Sequence, residues 1–228
     1  MKTHSMTAAE FAEENEAFLS LEKAQADLAG ALNLLGEDSR QSDGLMDNFN
    51  FYSACHVNRA SDAFLLLRKA DRIDAAKLLI RPAIEAIVRV LAVQKQPHLL
   101  FRIAYSEWIE NGKWYRPTMR RLGKPYDEEA QRKNWDSFKA AYISHFPGHA
   151  ILEEKLTLMD AAVAAGTEAV GFYDSHYRLY CKFTHAAFEA SVGELNDLTP
   201  ADTRTMLLCT NYALEVVREI SNRPTTNT

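Results

Sequence analysis

Apolar side chains recur at steps of three, four and seven residues along most of this 228-residue chain. In the first long segment, from Thr7 to Leu35, six residues carry the repeat: Phe11, Phe18, Leu21, Leu28, Leu32 and Leu35. Such spacing gathers apolar side chains on one face of an α-helix. The chain has only nine glycines and seven prolines, so residues that favour tight turns are scarce. Long helices are therefore predicted rather than many short strands.

We predict an all-α, single-domain helical bundle of about seven or eight helices. The domain spans 1–228, with an N-terminal helix over 7–36, a helical core over 45–222 and a disordered tail over 223–228. Within the core, helices are predicted over 45–70, 72–96, 99–112, 127–145, 150–165, 172–195 and 200–222, with an irregular stretch over 114–126. Pro82 predicts a kink near Leu78 to Arg81 in the second of these helices, and two helices that meet at Pro82 are the alternative.

The charge balance restricts the partners that we expect. The net charge is −5, whereas a protein that binds nucleic acid over its whole surface is usually basic, so contact with RNA requires a local patch. The sequence lacks an apolar run of the roughly 20 residues that span a bilayer, and it lacks HExxH and CxxC motifs. No membrane, metal or cofactor is expected. The first residues contain no apolar segment typical of a signal peptide, which predicts a cytoplasmic location.

Charged residues interrupt two of the predicted apolar faces. Arg81 and Glu85 are four residues apart on one helix, where they form either an ion-pair ladder at its edge or part of a polar pocket. His56 and Arg59 fall on the face of the 45–70 helix that we predict to be apolar, which the sequence marks with Leu45, Phe49, Tyr52, Ala63 and Leu66. A histidine in such a position is either a core residue with satisfied hydrogen bonds or part of a binding site.

The segment over 172–191 carries a second group of polar residues. Tyr173, Tyr177 and Tyr180 follow one stripe, and Arg178, Lys182 and His185 follow another. Arg178 and His185 are seven residues apart, which is almost two helical turns and places them roughly 10 Å apart on the same side. An arginine can neutralise a phosphate while a histidine moves a proton, and tyrosines can stack on bases. The alternative is a solvated basic face opposite an aromatic core stripe.

These segments resemble an uncharacterised all-α bacterial family. In that family an R-P-x-x-E helix precedes, by about a hundred residues, a segment with the pattern Y-R-x6-H. The matching positions here are Arg81, Pro82 and Glu85, followed by Tyr177, Arg178 and His185. The resemblance implies a helical fold but says little about the chemistry of the protein, because the function of the family is not established.

The spacing from Arg178 to His185 is also similar to the Arg-x4-6-His motif of HEPN domains. Those domains are helical and usually dimeric, and many are metal-independent endoribonucleases of toxin–antitoxin and phage-defence systems. The resemblance implies that Arg178 holds the scissile phosphate and that His185 transfers a proton during attack by the RNA 2′-hydroxyl. It also implies RNA and a second copy of the chain as partners.

Three hypotheses follow for function. The first is a HEPN-like, RNA-directed protein with Arg178 and His185 in one cleft, assisted by Lys182 and by the arginines of the WYRPTMRR segment if they fold nearby. The second is a non-enzymatic helical module that binds a small ligand or a protein through a polar pocket of Arg81, Glu85, His56 and Arg59. In the third, every charge pair belongs to the scaffold.

Overall fold

The computed structural model describes residues 7–38, 44–184 and 199–222, and all regular elements in these ranges are helices, which confirms the predicted class. In chain order they are α1 (Ala8–Asp38), α2 (Leu45–Lys69), α3 (Ile73–Lys77), α4 (Ile80–Lys95), α5 (Leu99–Arg121), α6 (Glu128–His145), α7 (Leu158–Ala165), α8 (Thr167–Phe172), a π-helical turn (Tyr173–Tyr177), α9 (Arg178–Thr184) and α10 (Pro200–Ser221). When α3 is counted with α4, and α8 and α9 with the π-helical turn between them, these ranges contain eight helices. The predicted tail over 223–228 lies outside the described residues.

The core forms mainly between α1, α2, α4 and α10. On α1, the predicted stripe is buried at Leu21, Leu28, Leu32 and Leu35, although Phe11 is exposed. On α10 the apolar stripe is also buried: Met206, Cys209, Ala213, Val216, Val217 and Ile220. These two helices pack together and bring the two ends of the described chain into one apolar layer.

The predicted apolar face of α2 is only partly correct: Leu45 and Phe49 are half-buried against the core, but most of the buried residues of α2 lie on another face. Tyr52 is 67% exposed and Leu66 is also exposed, whereas the buried face is the opposite one and contains Asn50, Ala54, Val57, Ala60, Ser61, Phe64 and Leu65. Several of these residues are small, so the backbones of neighbouring helices can approach closely, and Ser61 forms a buried hydrogen bond with Thr210 on α10 (2.7 Å). His56 and Arg59 are therefore exposed and do not point into the core.

Residues 72–96 form two helices instead of one kinked helix. The break falls at Leu78 and Leu79, and Pro82 lies in the first turn of α4. A proline is tolerated there because the first N–H groups of a helix have no carbonyl partner within it. Two helices are thus present, but they meet within the stretch where the kink was predicted and not at Pro82, and Leu78 is exposed at the junction.

Helix α5 continues nine residues beyond its predicted end, into the stretch predicted to be irregular, with Pro117 inside it. This part of α5 is exposed, so water can bind the carbonyl that the missing N–H of Pro117 leaves without a helical partner. Helices α5 and α6 form a hairpin with its own aromatic cluster, in which Phe101, Trp135 and Tyr142 are buried.

The helix predicted over 150–165 begins only at Leu158. Thr157 and Asp160 form a reciprocal capping box that starts α7. Before it, the chain is held in an irregular course by α5: the Leu156 N–H donates to Ser106 Oγ (2.9 Å), and Arg102 donates to the Lys155 carbonyl (3.0 Å). These bonds occupy backbone groups that an earlier helix would need. None of the helices in the described ranges combines the length and apolar character needed to cross a bilayer.

Candidate functional site

A half-buried polar cluster joins α4 to the π-helical turn. Arg81 Nε donates to Glu85 Oε1 (2.9 Å), so the predicted pair between these residues is present. Tyr177 Oη donates to the same carboxylate oxygen (3.1 Å), and the Arg81 guanidinium lies over the Tyr177 ring at 5.4 Å from its centroid. Burial alone would lower the pKa of Arg81, but the hydrogen bond and charge of Glu85 outweigh it and raise the pKa.

The π-helical turn helps to position Tyr177 in this cluster. Tyr173 and Tyr177 stack with 4.9 Å between ring centroids, and the Ser175 hydroxyl donates to the Gly171 carbonyl (2.6 Å). Burial raises the pKa of Tyr177 strongly, so its phenol stays protonated and remains a donor to Glu85. The continuous helix predicted over 172–195 is therefore wrong at its start: α8 begins at Thr167, and a π turn precedes α9. Single π turns occur frequently at functional sites.

Tyr180 does not share the role predicted for the tyrosines. Its side chain is buried and its hydroxyl donates to Asp202 Oδ1 on α10 (2.6 Å). A ring in that position is closed to nucleobases, so base stacking at Tyr180 is excluded. Together, the bonds of Tyr177 to Glu85 and of Tyr180 to Asp202 fix one side of this helical segment to the bundle.

Arg178 lies on the other side of the segment. Its side chain is 71% exposed, and its ion pair is with Asp174 one turn earlier, at 3.6 Å between Nη1 and Oδ1. An exposed pair of this kind contributes about 0–1 kcal/mol, so another anion can displace Asp174 easily. His185 and the side chain of Lys182 lie outside the described residues. Arg178 is thus not part of the hydrogen-bonded cluster of Arg81, Glu85 and Tyr177.

His56 borders the cluster although it is exposed. Desolvation lowers the pKa of His56, and the positive charges of Arg59 and Arg89 lower it further, against the opposing effect of Glu85 and Glu107. Its imidazole is therefore mainly neutral at pH 7 and can accept a proton. Arg59 Nε donates to the Cys55 carbonyl (3.3 Å), and Arg89 pairs with Glu107 on α5 (3.1 Å). The predicted binding residues Arg81, Glu85, Tyr177, His56 and Arg59 thus belong to one polar region.

The sequence reasoning missed a buried ionic group deeper in the bundle. Glu14 accepts a hydrogen bond from the Thr203 hydroxyl (2.7 Å) and pairs with Arg68, while buried Lys77 pairs with Asp202 (3.5 Å). Glu14 lies seven residues before Leu21, so the periodicity of α1 already placed it on the buried stripe. Asp202 was visible as the residue that completes the Thr199 cap. These groups hold helices together, and Glu14, Lys77 and Asp202 are buried while Arg68 is partly exposed.

Two clefts lie outside the polar region. The larger, of about 360 Å³, is lined by residues of α5, α6 and the loop between them, among which are Trp108, Arg116, Tyr126 and Arg132. The smaller, of about 80 Å³, lies between α4 and α10 and includes Leu91 and Tyr212 among its lining residues. In the described part of the chain, no three His, Cys, Asp or Glu side chains are arranged to hold a metal ion.

We compared the chain with protein-family models, with curated proteins and with solved structures. None of these comparisons gave a significant match.

Proposed function

We propose that this chain is a HEPN-like, RNA-directed protein that acts as a metal-independent endoribonuclease. Arg178 would hold the scissile phosphate and His185 would transfer a proton. The observation that carries the proposal is the position of Arg178: its guanidinium faces solvent while the turns around it are anchored to α4 and α10 through Tyr177 and Tyr180. A cation that is exposed on a fixed backbone can bind a polymer phosphate at little conformational cost.

The proposed reaction needs no group beyond the chain and its substrate. The RNA 2′-oxygen attacks the adjacent phosphorus, the bond from phosphorus to the 5′-oxygen breaks, and the products are a 2′,3′-cyclic phosphate and a 5′-hydroxyl. His185 takes the proton from the 2′-hydroxyl and gives it to the leaving 5′-oxygen, so that no proton is gained or lost. Arg178 offsets the charge that develops on the phosphate oxygens.

Cleavage of a 5′-labelled single-stranded RNA in the presence of EDTA tests this function. We expect His185→Ala and Arg178→Ala to lower the cleavage rate by about 100-fold or more each. Arg218→Ala, a control that removes an exposed arginine on a different helix, α10, should cleave RNA like the parent. RNA with 2′-O-methyl groups should remain intact because its nucleophile is blocked. A cleavage rate that is the same in His185→Ala and in the parent would contradict the proposal.

The related expectation of a homodimer follows from the same resemblance. Light scattering coupled to size-exclusion chromatography measures the mass of the particle directly. A mass of twice 25.8 kDa would support it, and a monomer at micromolar concentration would count against it.

A second candidate is a non-enzymatic module that binds a small ligand or a protein at the polar region. The observation in its favour is that Arg81, Glu85 and Tyr177 are hydrogen-bonded together while His56 and Arg59 border them. Against it, neither of the two clefts described above includes these residues. A thermal-shift screen with a metabolite panel distinguishes the two candidates. This candidate predicts a stabilising compound whose effect is lost in Arg81→Ala, and the absence of any such compound would reject it.

A further inference from the structure

The end of the α5–α6 hairpin is strongly basic. Residues 113–133, which we call the basic hairpin tip, contain seven lysines and arginines against three carboxylates. The whole chain has a net charge of −5, so the rest of the molecule is still more acidic than that total suggests. All seven cationic side chains are exposed. The end of the hairpin thus has a local excess of positive charge in a protein whose net charge is negative.

Most of these cations are available to a partner. Lys113 pairs with Glu110 (3.1 Å) and Arg116 with Glu128 (3.6 Å), and both pairs are exposed. Within the described ranges the other five side chains make no ion pair: Arg120, Arg121, Lys124, Arg132 and Lys133. Of the three carboxylates, Asp127 is already engaged as the N-cap of α6, where it accepts from the Ala130 N–H (2.8 Å).

Aromatic rings lie among the cations. Trp114 is 75% exposed and Tyr115 is also exposed, with the Tyr115 ring packed edge-on against Tyr126 at 5.7 Å. The guanidinium of Arg116 lies over the Tyr126 ring, 5.3 Å from its centroid. Arg116 and Tyr126 also line the 360 Å³ cleft. An exposed indole between cations offers a partner both a flat stacking face and positive charge, which suits unpaired bases on a phosphate backbone.

The tip has a fixed position because the hairpin has a core of its own. Trp108 of α5 stacks on Trp135 of α6 at 5.0 Å and 11°, and Phe101 packs against Trp135 at 5.3 Å. The first turns of α5 pack on the bundle, whereas the end of α5 and the start of α6, on the other side of this aromatic cluster, are mainly exposed. The cations are therefore presented on helices and not on a free loop.

We propose that the basic hairpin tip is the docking surface for single-stranded RNA, which rests on RNA being the ligand of the proposed function. Lysines and arginines contact the phosphates, and Trp114 stacks on an unpaired base. An anionic membrane is the less suitable partner. The exposed large apolar side chains of the tip are Trp114, Tyr115 and Leu122, which do not form the continuous apolar face that inserts into lipid.

Fluorescence anisotropy with a labelled single-stranded RNA in EDTA tests the surface. The hairpin variant Arg120→Ala/Arg121→Ala/Lys124→Ala removes three cations that make no ion pair, and we expect it to weaken binding by about tenfold or more. Trp114→Ala should weaken binding by about fivefold or more through the lost stacking. A control variant, Lys23→Ala/Lys95→Ala/Arg218→Ala, makes the same change in net charge at exposed positions elsewhere and should bind like the parent.

The outcomes separate this surface from the proposed chemistry. If the hairpin variant loses affinity while His185→Ala binds RNA normally, the surface is supported whether or not the RNA is cleaved. If both triple variants lose affinity equally, or if the hairpin variant binds RNA like the parent, the surface is rejected, although cleavage by the parent would still stand. Binding of the tip to phosphatidylserine vesicles in preference to RNA would also reject it.

Discussion

At the scale of single residues, Glu85 connects two separate parts of the chain. One carboxylate oxygen accepts hydrogen bonds both from Arg81, on the same helix, and from Tyr177, ninety-two residues later. The three side chains are only partly exposed, so solvent replaces these bonds incompletely when one is lost. The cluster therefore contributes to the attachment of the segment that carries Arg178.

Replacement of Tyr177 by phenylalanine tests this attachment. The change removes the hydroxyl donor and keeps the ring under Arg81, so we expect a loss of about 1 kcal/mol in the free energy of unfolding. Tyr173→Phe is the matched control, because Tyr173 shares the stacked pair while its hydroxyl is not the donor to Glu85. Urea denaturation measures both variants. Equal losses in the two would mean that the effect is not specific to the hydrogen bond with Glu85.

Glu14 provides a second residue-scale prediction, which concerns pH. Its side chain is 1% exposed, and burial raises the pKa of its carboxyl above the ordinary value despite the opposing effects of Thr203 and Arg68. The folded state therefore holds this proton more tightly than the unfolded state does. The resulting stability is complete below the ordinary carboxyl pKa and is lost as the pH rises through the raised value.

Glu14→Gln should remove that loss, because glutamine stays neutral at every pH. The free energy of unfolding, measured in urea from about pH 4 to pH 8, should fall with rising pH more steeply in the parent than in the variant. Glu13→Gln, at an exposed neighbour that pairs with Arg204, should keep the parent's slope. If the parent and Glu14→Gln have parallel profiles, Glu14 does not titrate differently on folding.

The residues of the candidate site were only partly predictable. The spacing of Arg81 and Glu85 indicated their ion pair, since residues four apart meet on a helix. Periodicity could not indicate that Tyr177 completes it, because that contact depends on how a distant segment packs on α4. For His56 the pattern was misleading: large apolar residues such as Tyr52 and Leu66 occupy the exposed side of α2, and small residues occupy the buried side.

At the scale of elements, two helix starts were predictable from their capping side chains, whereas the capped start of α7 was missed. Asp127 caps α6, and Thr199 with Asp202 caps α10, both at the predicted positions. The break at Leu78 and Leu79 has no capping side chain, but Pro82 marks it, because a proline cannot bond to the carbonyl four residues earlier and crowds it. The π turn at Tyr173–Tyr177 has no local marker and depends on tertiary contacts, which override local helix preference.

At the junction between α7 and α8 and just after it, we expect alanine substitutions at two glycines to change the stability of the protein in opposite directions. Gly166 has φ 111° and ψ −178°, a conformation that is essentially restricted to glycine, whereas Gly171 lies within α8. A Cβ atom at either position would meet no neighbouring atom within 4 Å. We therefore expect Gly166→Ala to destabilise the protein by about 1–3 kcal/mol and Gly171→Ala to stabilise it by about 0.5–1 kcal/mol.

Thermal unfolding of the two alanine variants beside the parent measures these effects. Because neither site has a steric conflict, the backbone conformation alone sets the sign. Destabilisation by both changes to the same degree would mean that packing around α8, and not the φ angle of Gly166, controls this junction.

At the scale of the whole molecule, charge is distributed unevenly. An acidic bundle carries one basic element, so an RNA strand is repelled over most of the surface and attracted at the basic hairpin tip. The overall net charge, which argues against nucleic-acid binding, conceals this arrangement. Sequence reasoning noted the arginines of residues 114–121 but expected an irregular segment there, and the aromatic cluster that holds α5 and α6 together was needed to recognise a projecting helical surface.

This distribution predicts how RNA binding depends on salt. Binding to single strands weakens with salt because counterions are released, with a slope in log K against log salt of about −0.7 for each phosphate that is neutralised. Arg120→Ala/Arg121→Ala/Lys124→Ala should therefore make the slope shallower by about 2, since three such contacts are removed. The triple variant at Lys23, Lys95 and Arg218 changes the net charge equally and should keep the parent's slope. Equal slopes for all three proteins would mean that RNA contacts a different surface, whereas equal reductions in both variants would mean that only the total charge matters.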